Sequence, residues 1–137
     1  TKYGTAIDVW AVGCIIIELL TLVPVFLADS EGDQLLAHIK KLGGLPDEYI
    51  ASLPEAVGFD FRFLKNIKPR TTFNFKEYIS FEYEGKNRKN PLIGSIEPIE
   101  DLELLVDLVK KMFTWNPSQR ISAEEALKHP YFAGKNQ

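Results

Sequence analysis

Residues 5–20 read TAIDVWAVGCIIIELL. From Val9 to Ile17 the run carries no charge, and Asp8 and Glu18 bracket it. It is too short to span a bilayer. The spacing predicts a helix over about Ala6 to Leu22 that is apolar on nearly every side. Such a helix belongs at the centre of a protein, with neighbours on all faces. Thr5 is placed as N-cap with Asp8 three residues on, the spacing of a capping box with Asp in place of Glu. Asp8 also meets the positive end of the helix dipole, and Pro24 stops the helix. Gly13 costs about 1 kcal/mol relative to Ala inside a helix, which implies close approach by another segment.

Three further stretches read as helices. From about Gly32 to Leu42, Leu35, Leu36, Ile39 and Leu42 fall on one face, acceptors at Asp29, Ser30 and Glu31 mark the start, and Gly43, Gly44 and Pro46 end it. From about Ile99 to Phe113, Leu102, Leu105, Val106, Val109, Met112 and Phe113 form a stripe. Lys110 and Lys111 sit at the end of that helix where the dipole favours cations. From about Ala123 to Lys128 a short helix carries a capping box of Ser122 and Glu125, and His129 and Pro130 close it. Between Leu53 and Pro98 the pattern is irregular. Phe73, Phe75, Ile79, Phe81 and Tyr83 share one parity, which predicts a small β-hairpin at about 73–84 with its turn near Glu77 or at Glu84 to Lys86. The segment GKNRKN (85–90) reads as a polar, basic turn. The fold class expected is mainly α with that hairpin as an insert.

With 137 residues, 45% hydrophobic and 26% charged, the chain is sized and composed for one soluble globular domain. A net charge of −3 gives no electrostatic case for nucleic acid or an anionic membrane as partner. The single cysteine, Cys14, excludes an internal disulfide and points to a reducing, intracellular setting, cytoplasm or nucleus. Within the apolar helix it reads as a buried, inert thiol. No signal or transit peptide is visible. The strong helix begins within a few residues of Thr1, which suggests a segment cut from something longer.

IDVWAVGC (7–14) resembles the D-x-W-x-x-G motif of eukaryotic protein kinases, which opens the central helix of their large lobe. MFTWNPSQRISAEEALKHPYF (112–132) resembles the segment that ends the kinase domain, with an arginine after a Trp-x-Pro turn and a short helix closed by His-Pro. SEGDQLLAHIKKLGGLP (30–46) is similar to a helix of the kinase group that includes the cyclin-dependent, MAP, glycogen synthase and Cdc2-like enzymes. Within that group, EGDQL followed by GLPDEYI resembles the dual-specificity tyrosine-regulated and homeodomain-interacting kinases, as does an insert at 73–84. LTLVPVFLADS departs from the commoner Gly-x-Pro form at Val23.

The resemblance implies that residues 1–137 are a partial protein kinase domain, from the central helix of the large lobe to the end of the domain. It implies that Asp8 accepts hydrogen bonds from backbone N–H groups of a catalytic loop and so anchors chemistry performed elsewhere. The plainer alternative is an acid that only caps its helix. Trp10 and Gly13 are then packing residues. Arg120 stands where related kinases pair an arginine with the glutamate of an Ala-Pro-Glu motif; the plainer alternative is a surface arginine in a polar turn.

The parent enzyme would transfer the γ-phosphate of ATP, with Mg2+, to protein Ser or Thr and to Tyr of its own activation loop. This sequence contains no G-x-G-x-x-G, His-Arg-Asp, Asp-Phe-Gly or Ala-Pro-Glu. In kinases all of these precede the first matching motif, so truncation accounts for their absence. No catalytic residue, cofactor or metal is therefore expected in this segment, which should be inactive alone. It should expose apolar surface and be either marginally stable or self-associating, and the helix around Gly32 to Leu42 should offer a docking face to protein substrates. The rival reading is a non-catalytic, pseudokinase-like interaction module, which the sequence preceding Thr1 would distinguish. His38 on a helix flank and His129 in a helix cap carry no expected chemistry, and Cys14 and His38 lack metal-ligand spacing. Lys86, Arg88 and Lys89 read as a solvated turn.

Overall fold

The computed structural model describes residues 4–53, 67, 73–87 and 98–133, apart from the side chains of 86 and 87. Their helices are α1 (Ala6–Thr21), α2 (Glu31–Leu42), α3 (Asp47–Ser52), α4 (Phe75–Asn87), α5 (Leu102–Met112) and α6 (Ala123–Leu127), followed by a 3-10 turn at Pro130–Phe132. The chain divides into two compact units, Thr1–Val25 with Phe75–Gln137, and Phe26–Asn74.

In the first unit α1 buries Val9, Gly13, Ile17 and Thr21, a stripe at four-residue steps. The opposite side is bare: Ile7, Val12, Ile15 and Leu19 are exposed, Leu19 at 73%. This chain supplies cover for one face only, and the bare face is the exposed apolar surface expected of a segment that carries only part of the helix's neighbours. Apolar composition shows that several faces can be buried; which one is buried depends on the neighbours present. The expected capping box at Thr5 is corrected. Thr5 is already in the helical conformation (φ −58°, ψ −17°) and its side chain makes no capping hydrogen bond. A side-chain cap needs an extended backbone at that position. The helix stops at Leu22, which turns left-handed at φ 56° and donates its N–H to the Glu18 carbonyl at 2.7 Å. Pro24 then disfavours helical geometry at Val23. Buried Thr21 seals this end: its hydroxyl lies 2.8 Å from the Ile17 carbonyl and 3.0 Å from that of Val23, and Tyr78 hydrogen-bonds it from α4.

The hairpin expected at 73–84 is instead the helix α4. Phe75 and Ile79, one helical turn apart, are buried, whereas Phe81 is 76% exposed. The alternating aromatics therefore do not share a face. The period of 3.6 wins because it puts Phe75 and Ile79 on one side, where α1 and α5 pack. The basic stretch at 88–90, including Arg88 and Lys89, lies outside the described residues. α5 buries Leu105, Val106, Leu108, Val109 and Met112. It starts three residues later than the sequence suggests, because Asp101 adopts φ 52° and breaks the helical path. Aspartate is among the few residues that tolerate this conformation. α6 carries the expected capping box: Ser122 Oγ accepts the Glu125 N–H, and Glu125 accepts the Ser122 N–H. Val9, Leu108, Met112 and Ala126 form a core on which Ile16, Ile121, Tyr131 and Phe132 pack.

In the second unit, Ser30 Oγ accepts the Asp33 N–H at 3.2 Å and donates to the Asp33 carboxylate at 2.6 Å, fixing the start of α2. Ile39 and Ile50 are buried. Gln34 donates to the Phe26 carbonyl at 3.1 Å, and the Phe26 ring meets the His38 ring edge-on at 4.2 Å. Burial pushes the His38 imidazole below its ordinary value. Gly43 ends α2 at φ 88°, a conformation that favours glycine.

Candidate functional site

The first turns of α1 and the segment after α5 meet around Trp10. Its ring packs edge-on against Phe113 with centroids 5.2 Å apart, and Trp115 lies 5.9 Å away. The Arg120 guanidinium lies 4.8 Å above the Trp10 ring. It donates through Nε to the Thr114 carbonyl at 3.0 Å, through Nη1 to the Ala6 carbonyl at 2.6 Å and through Nη2 to the Trp115 carbonyl at 3.3 Å. A planar fork of donors suits such a convergence. Arg120 is half-buried and is not a free surface side chain. Its bond to Ala6 spans 114 residues and ties the start of α1 to the turn before α6. One turn further along α1, a Cβ on Gly13 would lie 2.9 Å from Phe113 Cε1 and 3.2 Å from Met112 Cβ. Glycine there lets α1 approach the end of α5.

Trp10, Gly13 and Arg120 thus meet in one cluster, and Asp8 stands apart. Asp8 is exposed, and among the described residues its carboxylate makes no hydrogen bond or ion pair. Its helical position aligns it with Val12, Ile15 and Leu19 at steps of four, seven and eleven residues, so the acid stands at the head of the bare apolar stripe. Sequence reasoning did not find Phe113, Trp115 or the Ala6 carbonyl as partners. The two tryptophans were the available signal, but no local pattern joins them.

Cys14, expected to be buried, is only partly so, because it lies beside rather than within the covered stripe of α1. Burial, and then the negative charge of Glu18 one turn along, push its thiol up to about 11. A thiol titrating there holds roughly a hundredth of the thiolate of an exposed cysteine at pH 8. Alkylation of Cys14 by iodoacetamide is therefore expected to be about 100-fold slower than that of a small thiol, with the rate rising until about pH 11. A rate that levels off near pH 9 would show that burial does not control this thiol. Asp107 on α5 is held below the usual carboxylate range, first by the hydrogen bond from Lys111 and then by that from His129. Its contribution to stability is accordingly present above the ordinary carboxylate pKa and is lost as the pH falls through the depressed value. Among the described residues no group of three or more His, Cys, Asp or Glu is placed to hold a metal ion, and no helix is long and apolar enough to cross a membrane.

The family model for the protein kinase domain matches residues 1–132. Cyclin-dependent kinase B2-1 of Arabidopsis thaliana is 39% identical over 132 residues, covering 96% of this chain and 34% of its own length. Cyclin-dependent kinase B2-1 of Oryza sativa subsp. japonica is 36% identical over 138 aligned positions, covering 98% of this chain and 34% of its own length. Mitogen-activated protein kinase 10 of Arabidopsis thaliana is 34% identical over 133 residues, covering 97% and 28%. The chain spans about a third of the length of these curated relatives.

Proposed function

Because this chain belongs to the protein kinase family, we propose that it is the helical C-terminal part of the large lobe of an enzyme that transfers the γ-phosphate of ATP to serine or threonine hydroxyls of proteins. The observation that carries this reading is the match over residues 1–132, together with its kinship to cyclin-dependent and mitogen-activated kinases. The two ends of that match, α1 and the turn around Arg120, are tied by the Arg120–Ala6 hydrogen bond. In this reading the segment is scaffold. The Trp10, Gly13 and Arg120 cluster holds α1 rigid, and Asp8 braces a backbone loop that carries the reacting groups. A carboxylate that bonds several N–H groups of a loop restrains its geometry. The exposed side of α2, with Glu31, Asp33, Leu36 and Lys40, serves as a docking face for substrate proteins. In this reading ATP and Mg2+ are held by the G-x-G-x-x-G, His-Arg-Asp and Asp-Phe-Gly motifs, none of which occurs in this sequence. ATP and Mg2+ then belong to other parts of the parent enzyme.

The test is phosphotransfer with Mg-ATP and a generic protein substrate. The 137-residue chain alone is expected to transfer no phosphate and to bind no Mg-ATP. The parent polypeptide is expected to be active, and Asp8→Asn in it should lower kcat about tenfold, ~1.4 kcal/mol at the transition state, with little change in KM. Phosphotransfer by the isolated chain would overturn the scaffold reading. A parent that neither binds ATP nor transfers phosphate would make the segment part of a non-catalytic interaction module.

A further inference from the structure

We propose that the bare side of α1 is a seam on which a second copy of this chain docks, the two α1 helices pairing antiparallel about a two-fold axis. Val12, Ile15 and Leu19, with Leu22 just past the helix end, follow one another at steps of three, four and three residues. That is the spacing of the a and d positions of a coiled coil. They are 45%, 54%, 73% and 67% exposed, and all lie outside the stripe of Val9, Gly13, Ile17 and Thr21 that α1 buries within its own unit. The helix thus has two apolar sides, and the chain uses one. Pairing would remove on the order of 1,000 Å2 from water over the two copies, the lower limit for a specific interface. A second copy offers the same residues in the same rhythm, which is what an isologous two-fold contact requires.

Charge decides the direction. In a parallel pair the next seam position is Asp8, and the carboxylates of the two copies would meet across the axis. In the antiparallel pair Ile15 of each copy faces Leu19 of the other, and Val12 faces Leu22. All four layers are then apolar, and each Asp8 lies beyond the last of them, in water. The two copies of Glu18 approach one another on the flank, where their longer side chains turn outward. The same two acids, Asp8 and Glu18, set this side against an anionic membrane surface. In the parent reading Asp8 braces a loop on this side; in the chain alone a copy takes that place. Pairing is read on the chain alone, so its failure is distinct from a failure of the parent to transfer phosphate.

The test is sedimentation velocity of the 137-residue chain, from about 1 to about 200 µM. A monomer–dimer equilibrium is expected, with the dimer dominant at about 100 µM. Leu19→Glu puts a carboxylate into both central layers and should weaken association about thirtyfold or more. Leu19 is 73% exposed, so the fold does not depend on it and the circular dichroism spectrum should be unchanged. Direction is read by cross-linking. Ile15→Cys and Leu19→Cys are made separately in a Cys14→Ser chain, mixed and mildly oxidised, and the disulfide should join unlike copies in preference to like ones. A chain that stays monomeric over the whole range, association that Leu19→Glu leaves unchanged, or cross-links chiefly between like copies would each overturn the antiparallel pair.

Discussion

Replacing Gly13 with valine is expected to destabilise the chain by about 3 kcal/mol, read as a lowered urea midpoint. The added Cβ would lie 2.9 Å from Phe113 Cε1, and 3.2 Å from both Phe113 Cζ and Met112 Cβ. Neither neighbour can yield cheaply. Phe113 is 3% exposed and packed against Trp10 and, 6.0 Å away, Phe75. Met112 Cβ is fixed to the backbone of α5, so relief requires the helix itself to move. Gly13→Ala sets the same contact against a gain in helix propensity of about 1 kcal/mol and should destabilise less. Gly32 in α2 supplies the control, because nothing lies within 4 Å of a Cβ built there. Gly32→Ala should be neutral or stabilising by about 0.5 kcal/mol. A Gly13→Val chain that unfolds at the wild-type urea concentration would mean that α1 and α5 are not in contact at this point.

Removing the Arg120 side chain should cost about 3 kcal/mol. Three backbone carbonyls, of Ala6, Thr114 and Trp115, would lose a charged donor, and Trp10 would lose the cation over its ring. Bonds from an ionised donor are roughly twice as strong as neutral ones. The bond to Ala6 also closes a long loop, so its loss frees the start of α1 as well as the turn. Arg120→Lys should recover less than half, since one ammonium cannot reach three divergent acceptors at once. The chain has two tryptophans, Trp10 and Trp115, and both adjoin the guanidinium, so emission reads the site directly. Arg120→Ala should shift emission to the red before global unfolding. An Arg120→Ala chain within 1 kcal/mol of wild type, with emission unchanged, would show that water replaces the guanidinium at no cost.

α2, α5 and α6 were legible because each announces itself locally: a stripe at helical spacing, acceptors at the start, lysines or glycine at the end. Ser122 and Glu125 form their capping box within four residues, where the chain needs no distant partner. The motifs around Asp8 and Arg120 likewise place the chain among protein kinases by local sequence alone. α4 was misread because five aromatic and aliphatic residues of one parity imitate a strand. Burial of Phe75 and Ile79 against other helices decided the period, and no residue inside the segment records that. α3, within GLPDEYI, went unseen because six residues are too few to show a period.

Order along the chain, the apolar character of α1 and family membership rest on neighbours in sequence, and short-range chemistry specifies them. Which side of α1 is covered, where Arg120 places its donors and what His129 faces rest on residues as far as 114 positions away. Those pairings depend on how already formed helices dock, because packing selects among faces that hydrophobicity alone leaves equivalent.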